Sequence, residues 1–268
     1  MRPSRARLLV DAPRGRARML ASAAVPQRWA STRIAHDGWV EAVHQAVGDG
    51  VFAGDEHRTH IEARGAALLV RGLTATPLRR GRAATVTRLV ARQGGTLVHL
   101  PGPLLPQVDA DHVNALRVDV DATSRMLAAS IVTPGRTGMG ERGRFARLRV
   151  RTVARVAGAL AFAEDASIEP ATVPLDGPAV FDGAGAALSL LALGDWPLAD
   201  PAWWRDVLPA EARGGASRLR TGGVCVRLLL PTLGGALAFI DVVEAAVRAN
   251  GRDGAMPSVM REVALKDR

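Results

Sequence analysis

LPGPLLPQ, residues 100–107, and IVTPGRTGMGE, residues 131–141, are the two stretches that most constrain the fold of this chain. Each proline of the first stretch fixes its own φ and lacks an amide donor, so this stretch cannot be a helix or a central strand. We therefore predict a stiff loop at the surface or at a sheet edge. In the second stretch, Pro134 and Gly135 predict a turn that follows a β-like run.

The segments around these stretches alternate with a period of two. Residues 116–121 alternate apolar and charged side chains, which is typical of a half-buried strand. Residues 147–156 alternate an apolar face with a face of arginines, namely Arg147, Arg149, Arg151 and Arg155. We interpret the arginine face as the solvated side of an antiparallel sheet.

The rest of the chain consists mostly of short apolar runs separated by Gly, Pro and Asp, which favours a mainly β architecture over alternating strands and helices. Two helices are predicted late in the chain, at residues 201–208 and at residues 233–249, where Asn250 and Gly251 provide a stop signal. We find no repeat with a period of about 20–50 residues and no linker, so residues 1–268 are predicted to form a single domain. Further strands are predicted at residues 6–10, 17–23, 39–46, 57–63, 66–70, 85–91, 96–100, 126–132 and 223–228.

Composition limits the function classes. A formal net charge of +9 predicts an anionic partner, which is a nucleic acid, a membrane surface or an acidic protein. The single cysteine, Cys225, lies in an apolar run and is expected to pack as a small apolar residue. No apolar run reaches the roughly 18 residues of a membrane span, and no secretory signal is evident, so the cytoplasm is the expected location.

The sequence shows no catalytic constellation. Lys266 is the only lysine and lies at the end of the chain, which excludes a P-loop and lysine-dependent mechanisms. No G-x-S-x-G motif is present, and the glycines of residues 135–140 do not open a helix. His57 and His60 fall on opposite faces of a predicted strand, so they cannot share a metal ion without a bulge. We therefore predict that the protein is not an enzyme.

In their order and spacing, these segments resemble the urease accessory protein D family, also called UreD or UreH. The family's glycine-rich turn matches residues 48–55, and its proline-rich segment matches residues 100–106. Its P-G-R and G-E motifs match residues 134–136 and 140–141. An acidic residue six before a proline matches Glu164 with Pro170, and a G-V-x-V-R-L strand matches residues 223–228. The resemblance covers about residues 5–230. It departs from the family at Ala53, at residues 71–79 and after Ala249.

The resemblance implies a mainly β fold, an elongated β-helix-like stack of short strands with two α-helices near the C-terminal end. It also implies a non-enzymatic urease maturation factor, a chaperone that assembles on the urease apoprotein with the helical protein UreF and the GTPase UreG. Nickel would pass through an internal tunnel, so no tightly bound cofactor is expected, only transient Ni²⁺. Neither nucleic acid nor a membrane is an expected partner, and helix 233–249 is expected to leave apolar surface for UreF.

Six residues are candidates for this function. Asp55, Glu141 and Glu164 match acidic positions of the family and are the candidate transient nickel-path residues, since oxygen ligands suit an ion that must be released. Each also has a structural interpretation: Asp55 as a turn residue, Glu141 as an ion-pair partner of Arg136 or Arg144, and Glu164 as a charge on a strand face. The candidate structural or partner residues are Pro134, Gly135 and Arg136, and the tight turn predicts that Arg136 is a fork donor.

Two other functions fit parts of the sequence. A basic all-β nucleic-acid-binding protein would explain the charge, although the strand faces lack the stacking aromatics typical of such proteins. A small-molecule enzyme could use Glu141 and Glu164 as a carboxylate pair, but nothing in the sequence fixes the distance between them.

Overall fold

The computed structural model of the protein describes residues 3–12, 16–35, 38–46, 48–178 and 180–253. Within these residues the chain forms seventeen strands and two α-helices. The strands are β1 (Ser4–Asp11), β2 (Arg18–Ala23), β3 (Gln27–Ile34), β4 (Val40–Ala46), β5 (Glu56–Arg64), β6 (Ala67–Gly72), β7 (Thr76–Leu78), β8 (Gly81–Arg92), β9 (Thr96–Leu100), β10 (Leu104–Pro106), β11 (Ala110–Val120), β12 (Arg125–Val132), β13 (Arg147–Val156), β14 (Ala159–Ile168), β15 (Ala186–Leu193), β16 (Arg213–Arg218) and β17 (Val224–Leu230), and the helices are α1 (Pro201–Val207) and α2 (Leu233–Asp253).

The described strands form two stacked sheets. The order in the seven-stranded sheet is β14-β13-β11-β8-β5-β1-β2, and the path of the ten-stranded sheet is β16-β17-β15-β12-β9-β6-β4-β3, with β7 and β10 attached beside it. From β4 to β13 the chain alternates between the sheets, and equivalent strands of successive coils pair in parallel. The short strands β7 and β10 add a third side to the coils. The predicted β-helix-like stack with two late helices is confirmed.

The coils constitute a structural repeat that the sequence analysis did not find. His57 pairs with Thr85, and Thr85 pairs with Asn114, so one coil separates each residue from the next along the chain. The prediction of no repeat is therefore wrong. Equivalent positions of the coils carry residues of the same type but of different identity. The repeat therefore leaves little internal similarity in the sequence.

Several strands also differ from the predictions. No strand range was predicted at β3, β7, β14 or β16, and the differences at β10 and β15 have a physical reason. Residues 104–106, predicted as part of a loop, form β10, where Leu104 pairs in parallel with both Thr76 and Val132. Three residues suffice for this short third side of a coil, although the last of them is a proline, Pro106. Strand β15 was not predicted, because it is paired on both edges, is covered on both faces and reads AALSLLAL without alternation.

Both helices pack on the ten-stranded sheet. At the start of α1, the amide of Ala202 donates to Asp200 Oδ1 at 3.0 Å, and Trp204 Nε1 donates to the carbonyl of Leu198 at 2.8 Å. In α2, the predicted stop at Asn250 is wrong, since a glycine inside a helix costs only about 1 kcal/mol. The expectation that α2 exposes its apolar face is also wrong. That face is buried against the sheet through Phe239, Ile240, Val243, Ala246 and Val247.

The apolar interior has two layers. One cluster lies between the helices and the ten-stranded sheet and includes Trp204 and Leu190. Two further clusters lie between the sheets, and the larger contains Leu8, Ile61 and also Cys225, which packs as an apolar residue as predicted. In the part of the chain that the structure describes, neither helix is long and apolar enough to span a membrane.

We expect the close contact between successive coils at Gly72 and Gly102 to tolerate no side chain. A Cβ atom on Gly102 would overlap the carbonyl oxygen of Thr74, and one on Gly72 would overlap the amide of Gly102. Because these are backbone atoms, the coils would have to separate. Gly102→Ala should lower the free energy of unfolding by about 1–3 kcal/mol, measured by thermal or denaturant unfolding. Gly138→Ala is the control, since its Cβ meets nothing within 4 Å, and equal stability of the two variants would contradict the packing.

Candidate functional site

A cavity of about 150 Å³ lies between the two sheets. This is room for several water molecules, since one water needs about 10–15 Å³. We call this space the polar cavity, because its lining includes the side chains of Gln27, His44, His57, Thr59, Thr85, Thr87, His99, Asn114 and Ser130. A polar interior of this kind is unusual for a protein core and indicates a function other than packing.

The polar cavity is a layer between two apolar clusters. Along β8, the inward-facing residues begin with Ala83, which belongs to the smaller cluster. Thr85 and Thr87 follow and line the cavity. Leu89 and Ala91 then join the larger cluster. The same change from polar to apolar occurs in β5 after Thr59 and in β11 after Asn114.

The parallel register extends this layer across the seven-stranded sheet. Equivalent positions of successive coils lie side by side, so a polar residue in one coil faces a polar residue in the next. One such row consists of Ser4, His57, Thr85 and Asn114, and a second contains Thr59, Thr87, Leu116, Thr152 and Glu164.

Hydrogen bonds connect the polar side chains at both ends of the first row. Gln27 Nε2 donates to Ser4 Oγ at 2.9 Å, and Thr59 Oγ1 donates to Gln27 Oε1 at 2.8 Å. Thr85 Oγ1 donates to Asn114 Oδ1 at 2.8 Å. These contacts satisfy the amides and hydroxyls, and they fix the side chains that line the cavity.

Four histidines in and beside the cavity are uncharged at neutral pH. Burial lowers the pKa of His99 to about 3 and the pKa of His44 and of His112 to about 4. Burial also lowers the pKa of His57, while the nearby Asp55 acts in the opposite direction. A charge on one ring disfavours a charge on the next, in the order His99, His44, His57 and His112, so the four rings form one electrostatically coupled string.

Each ring of this histidine string has a nitrogen without a hydrogen-bond partner among the described residues, namely His44 Nε2, His57 Nε2, His99 Nδ1 and His112 Nδ1. An uncharged imidazole is the form that binds transition metals. In the described residues, however, no three His, Cys, Asp or Glu side chains are grouped closely enough to hold a metal ion. The described donors are thus single imidazoles and not a closed metal-binding site.

Asp55 lies in the turn before β5. Its Oδ2 accepts a hydrogen bond from the amide of Phe52 at 2.9 Å, which is the predicted turn role, and lies 3.7 Å from His57 Nε2. The carboxylate thus stands beside the histidine string without belonging to the described lining of the polar cavity.

Glu141 is bound by Arg136 through both carboxylate oxygens. Arg136 Nε donates to Glu141 Oε2 at 2.6 Å, and Arg136 Nη2 donates to Oε1. These hydrogen bonds lower the pKa of Glu141. Gly135 has a φ of 119°, and a Cβ there would overlap the carbonyl of Glu141, so the turn after the buried Pro134 requires glycine. The predicted fork contact of Arg136 is confirmed.

Glu164 lies on the inner face of β14, beside Thr152 in the polar row. Its Oε1 accepts from Arg227 Nη2 of β17 at 2.6 Å, and this contact joins the two sheets. Glu141 and Glu164 are therefore held by different arginines in different parts of the fold, which gives no support to a catalytic carboxylate pair.

The polar cavity was not predicted from the sequence, because its histidines lie far apart along the chain on different strands. His57 and His60 do lie on opposite faces of β5, as predicted, and only His57 faces inward. The available signal was positional. Inward-facing polar pairs occur at residues 57 and 59, 85 and 87, and 112 and 114, and each is followed on the same face of its strand by an apolar pair. Comparison of strands, rather than of residue identities, would have shown it.

We expect Arg136→Lys to lower the melting temperature by several degrees, because an ammonium group cannot bind both oxygens of Glu141 in one plane. Arg33→Lys provides a matched control, since Arg33 bonds Glu41 but is largely exposed. That variant should melt within about 1 °C of the unchanged protein, since exposed pairs contribute little. Equal melting temperatures for the two variants, measured by calorimetry, would contradict the structural role of Arg136.

The known proteins that this chain resembles are urease accessory proteins. A profile of the family described as UreD urease accessory protein matches residues 5–261. The chain is 32% identical over 245 residues to urease accessory protein UreD 2 of Methylorubrum populi, covering 87% of this chain and 80% of that protein. It is 28% identical over 208 residues to urease accessory protein UreD of Sorangium cellulosum, covering 72% and 66% of the two chains.

A third relative matches over a shorter segment. The chain is 33% identical over 100 residues to urease accessory protein UreD 2 of a Synechococcus strain, and the match spans 37% of this chain and 38% of that protein. Because the family profile nevertheless covers almost all of the sequence, the chain belongs to the UreD urease accessory protein family.

Proposed function

We propose that the protein is a non-enzymatic urease maturation factor whose polar cavity conducts Ni²⁺ toward the urease apoprotein. The observation that carries this proposal is the histidine string, four uncharged imidazoles in and beside a polar space inside a member of a urease accessory family. Imidazole nitrogen is a suitable ligand for nickel, and the hydroxyl and amide oxygens of the lining supply weaker contacts.

The same chemistry favours passage over storage. Because the described histidines and carboxylates form no closed site, an ion would exchange between single imidazoles and water as it moves. Neutral rings also avoid the repulsion that protonated histidines would exert on a divalent cation. Nickel is here the cargo of the protein and not a resident cofactor.

The three carboxylates predicted from the sequence as nickel-path residues have different roles in this proposal. Asp55, 3.7 Å from His57 Nε2, would attract the ion beside the third ring of the string. Glu164, in the polar row beside Thr152, would do so farther along the sheet. Both oxygens of Glu141 are engaged by Arg136, so the proposal gives Glu141 a positioning role. A fall in urease nickel content without a change in melting temperature in Glu141→Ala would restore its nickel-path role.

The partners proposed for this activity are those that the family resemblance implies. They are the urease apoprotein, a UreF-like helical protein and a UreG-like GTPase, assembled in the cytoplasm with residues 1–268 acting as one domain. The protein would act as a chaperone in this complex, without catalysing a reaction of its own.

We expect His57→Gln to slow nickel loading of urease about tenfold at limiting nickel, since weakening one ligand costs about 10–100-fold in metal affinity. The control is His60→Gln, which changes the same strand on its outer face. Both variants are coexpressed with urease and the other accessory proteins, and urease nickel content, melting temperature and complex formation are measured. Excess nickel should restore loading in His57→Gln, because the docking surfaces are unchanged.

Two results would contradict the nickel route. One is a His57→Gln complex that loads nickel as fast as the His60→Gln complex. The other is a loading defect that excess nickel does not relieve and that accompanies loss of the complex, since this result would give His57 a structural role only.

A further inference from the structure

The outer face of the seven-stranded sheet is uncovered. Sheets of parallel strands are normally covered on both faces, and here five neighbouring strands, β1, β5, β8, β11 and β13, run in parallel. One face packs on the ten-stranded sheet. Both helices pack on the far side of the ten-stranded sheet, so among the described residues no helix covers the other face of the parallel strands.

Arginine dominates this uncovered face, which we call the arginine face. Its described basic residues are Arg5, Arg7, Arg18, Arg58, Arg64, Arg82, Arg88, Arg92, Arg117, Arg147, Arg149, Arg151 and Arg155, and its acidic residues are Asp11, Glu56, Glu62, Asp111, Asp119 and Asp165. The solvated arginine face that the sequence predicted for residues 147–156 is thus one edge of a surface that crosses the whole sheet.

The register places like charges side by side. Arg88 of β8 is the direct neighbour of Arg117 in β11, and Arg5 of β1 is the direct neighbour of Arg58 in β5. Asp119 pairs with Arg88 at 3.3 Å and Glu56 pairs with Arg58 at 2.8 Å, so Arg117 and Arg5 are the members of these pairs that lack a carboxylate. Like charges at directly opposite positions destabilise a sheet. An arrangement that lowers the stability of the free protein is expected where an external partner supplies the missing counter-charges.

Part of the arginine face is neutralised and part is not. Arg147 bonds Asp111 at 2.9 Å, and Arg149 bonds Asp165 at 2.7 Å. By contrast, no described residue forms an ion pair or a side-chain hydrogen bond with Arg5, Arg7 or Arg117. The unneutralised charge therefore lies toward β1 and along the middle of the sheet.

Small aliphatic side chains lie among these arginines. Val86 and Ala115 are neighbours in the register, and Val153, which pairs with Arg117, is 39% exposed. A combination of aliphatic residues and arginine is typical of the core of a protein–protein interface. It differs from a nucleic-acid platform, because no described tryptophan or phenylalanine faces outward between the arginines of β5, β8 and β11.

We propose that the arginine face is the docking surface for a carboxylate-rich face of a folded protein partner. Guanidinium groups bind carboxylates through two parallel hydrogen bonds, and the aliphatic residues provide the apolar contact between them. The half-buried carboxylates already present, Asp111 and Asp119, would repel phosphate groups but tolerate a partner surface that contains some basic residues. This proposal does not rest on the nickel route, because the face points away from the polar cavity.

The test compares two triple variants of the full chain with the same loss of charge. Arg5→Ser/Arg7→Ser/Arg117→Ser removes unneutralised charge from the arginine face, and the control Arg125→Ser/Arg205→Ser/Arg220→Ser removes exposed arginines elsewhere. Binding of poly-L-glutamate, the carboxylate probe, is measured by calorimetry at about 50 mM salt, where charge interactions are weakly screened. The face variant should bind about tenfold more weakly and the control within about twofold of the unchanged protein.

A second readout separates docking from folding. The face variant should melt at the same temperature as the unchanged protein or higher, because it relieves repulsion between arginines. Equal weakening of poly-L-glutamate binding in both variants would overturn the proposal, since charge would then act without a defined surface. Random-sequence duplex DNA that binds more tightly than about 1 μM at about 150 mM salt, with binding lost only in the face variant, would also overturn it in favour of nucleic acid.

Discussion

Parallel, in-register pairing of successive coils is the constraint on which the rest of the structure depends. It places His57 beside Thr85 and Thr85 beside Asn114, and it continues each row across the seven-stranded sheet. Any residue type that recurs at one position of the coil therefore becomes a continuous layer of the interior or of the surface. Polar side chains in one such layer create the polar cavity, and apolar side chains in the adjacent layers create the two clusters that enclose it.

The same constraint gives the two sides of the sheet different chemistry. On its inner side, His57 and His112 lose hydration and remain uncharged, and their polar neighbours are satisfied by hydrogen bonds within the layer. Outward-facing arginines keep their charge and stand next to one another, as Arg88 and Arg117 do. Residues of one strand, such as His57 and Arg58, would thus contribute to the proposed route for a cation and to the proposed surface for carboxylates.

The sequence predicted the features that depend on neighbours along the chain. Alternation identified the strands up to β13 with the exception of β3, β7 and β10, and Pro134 with Gly135 identified the turn that holds Arg136 against Glu141. It did not predict features that depend on stacking. Strand β10 becomes a strand only because β7 and β12 lie on either side of it, and β15 lacks alternation because it is covered on both faces. The polar cavity belongs to this second class, since the histidines in and beside it come from four different strands.

Protonation of the histidine string tests the account most directly. In the unfolded chain a histidine titrates near pH 6.5. In the folded chain burial lowers the pKa, so the unfolded state takes up protons first and stability falls as the pH drops from about 6.5 toward about 4. Nuclear magnetic resonance titration of the ring signals should show His44, His99 and His112 uncharged at pH 5. Protonation of these three rings near pH 6.5 in the folded protein would contradict a buried, uncharged string.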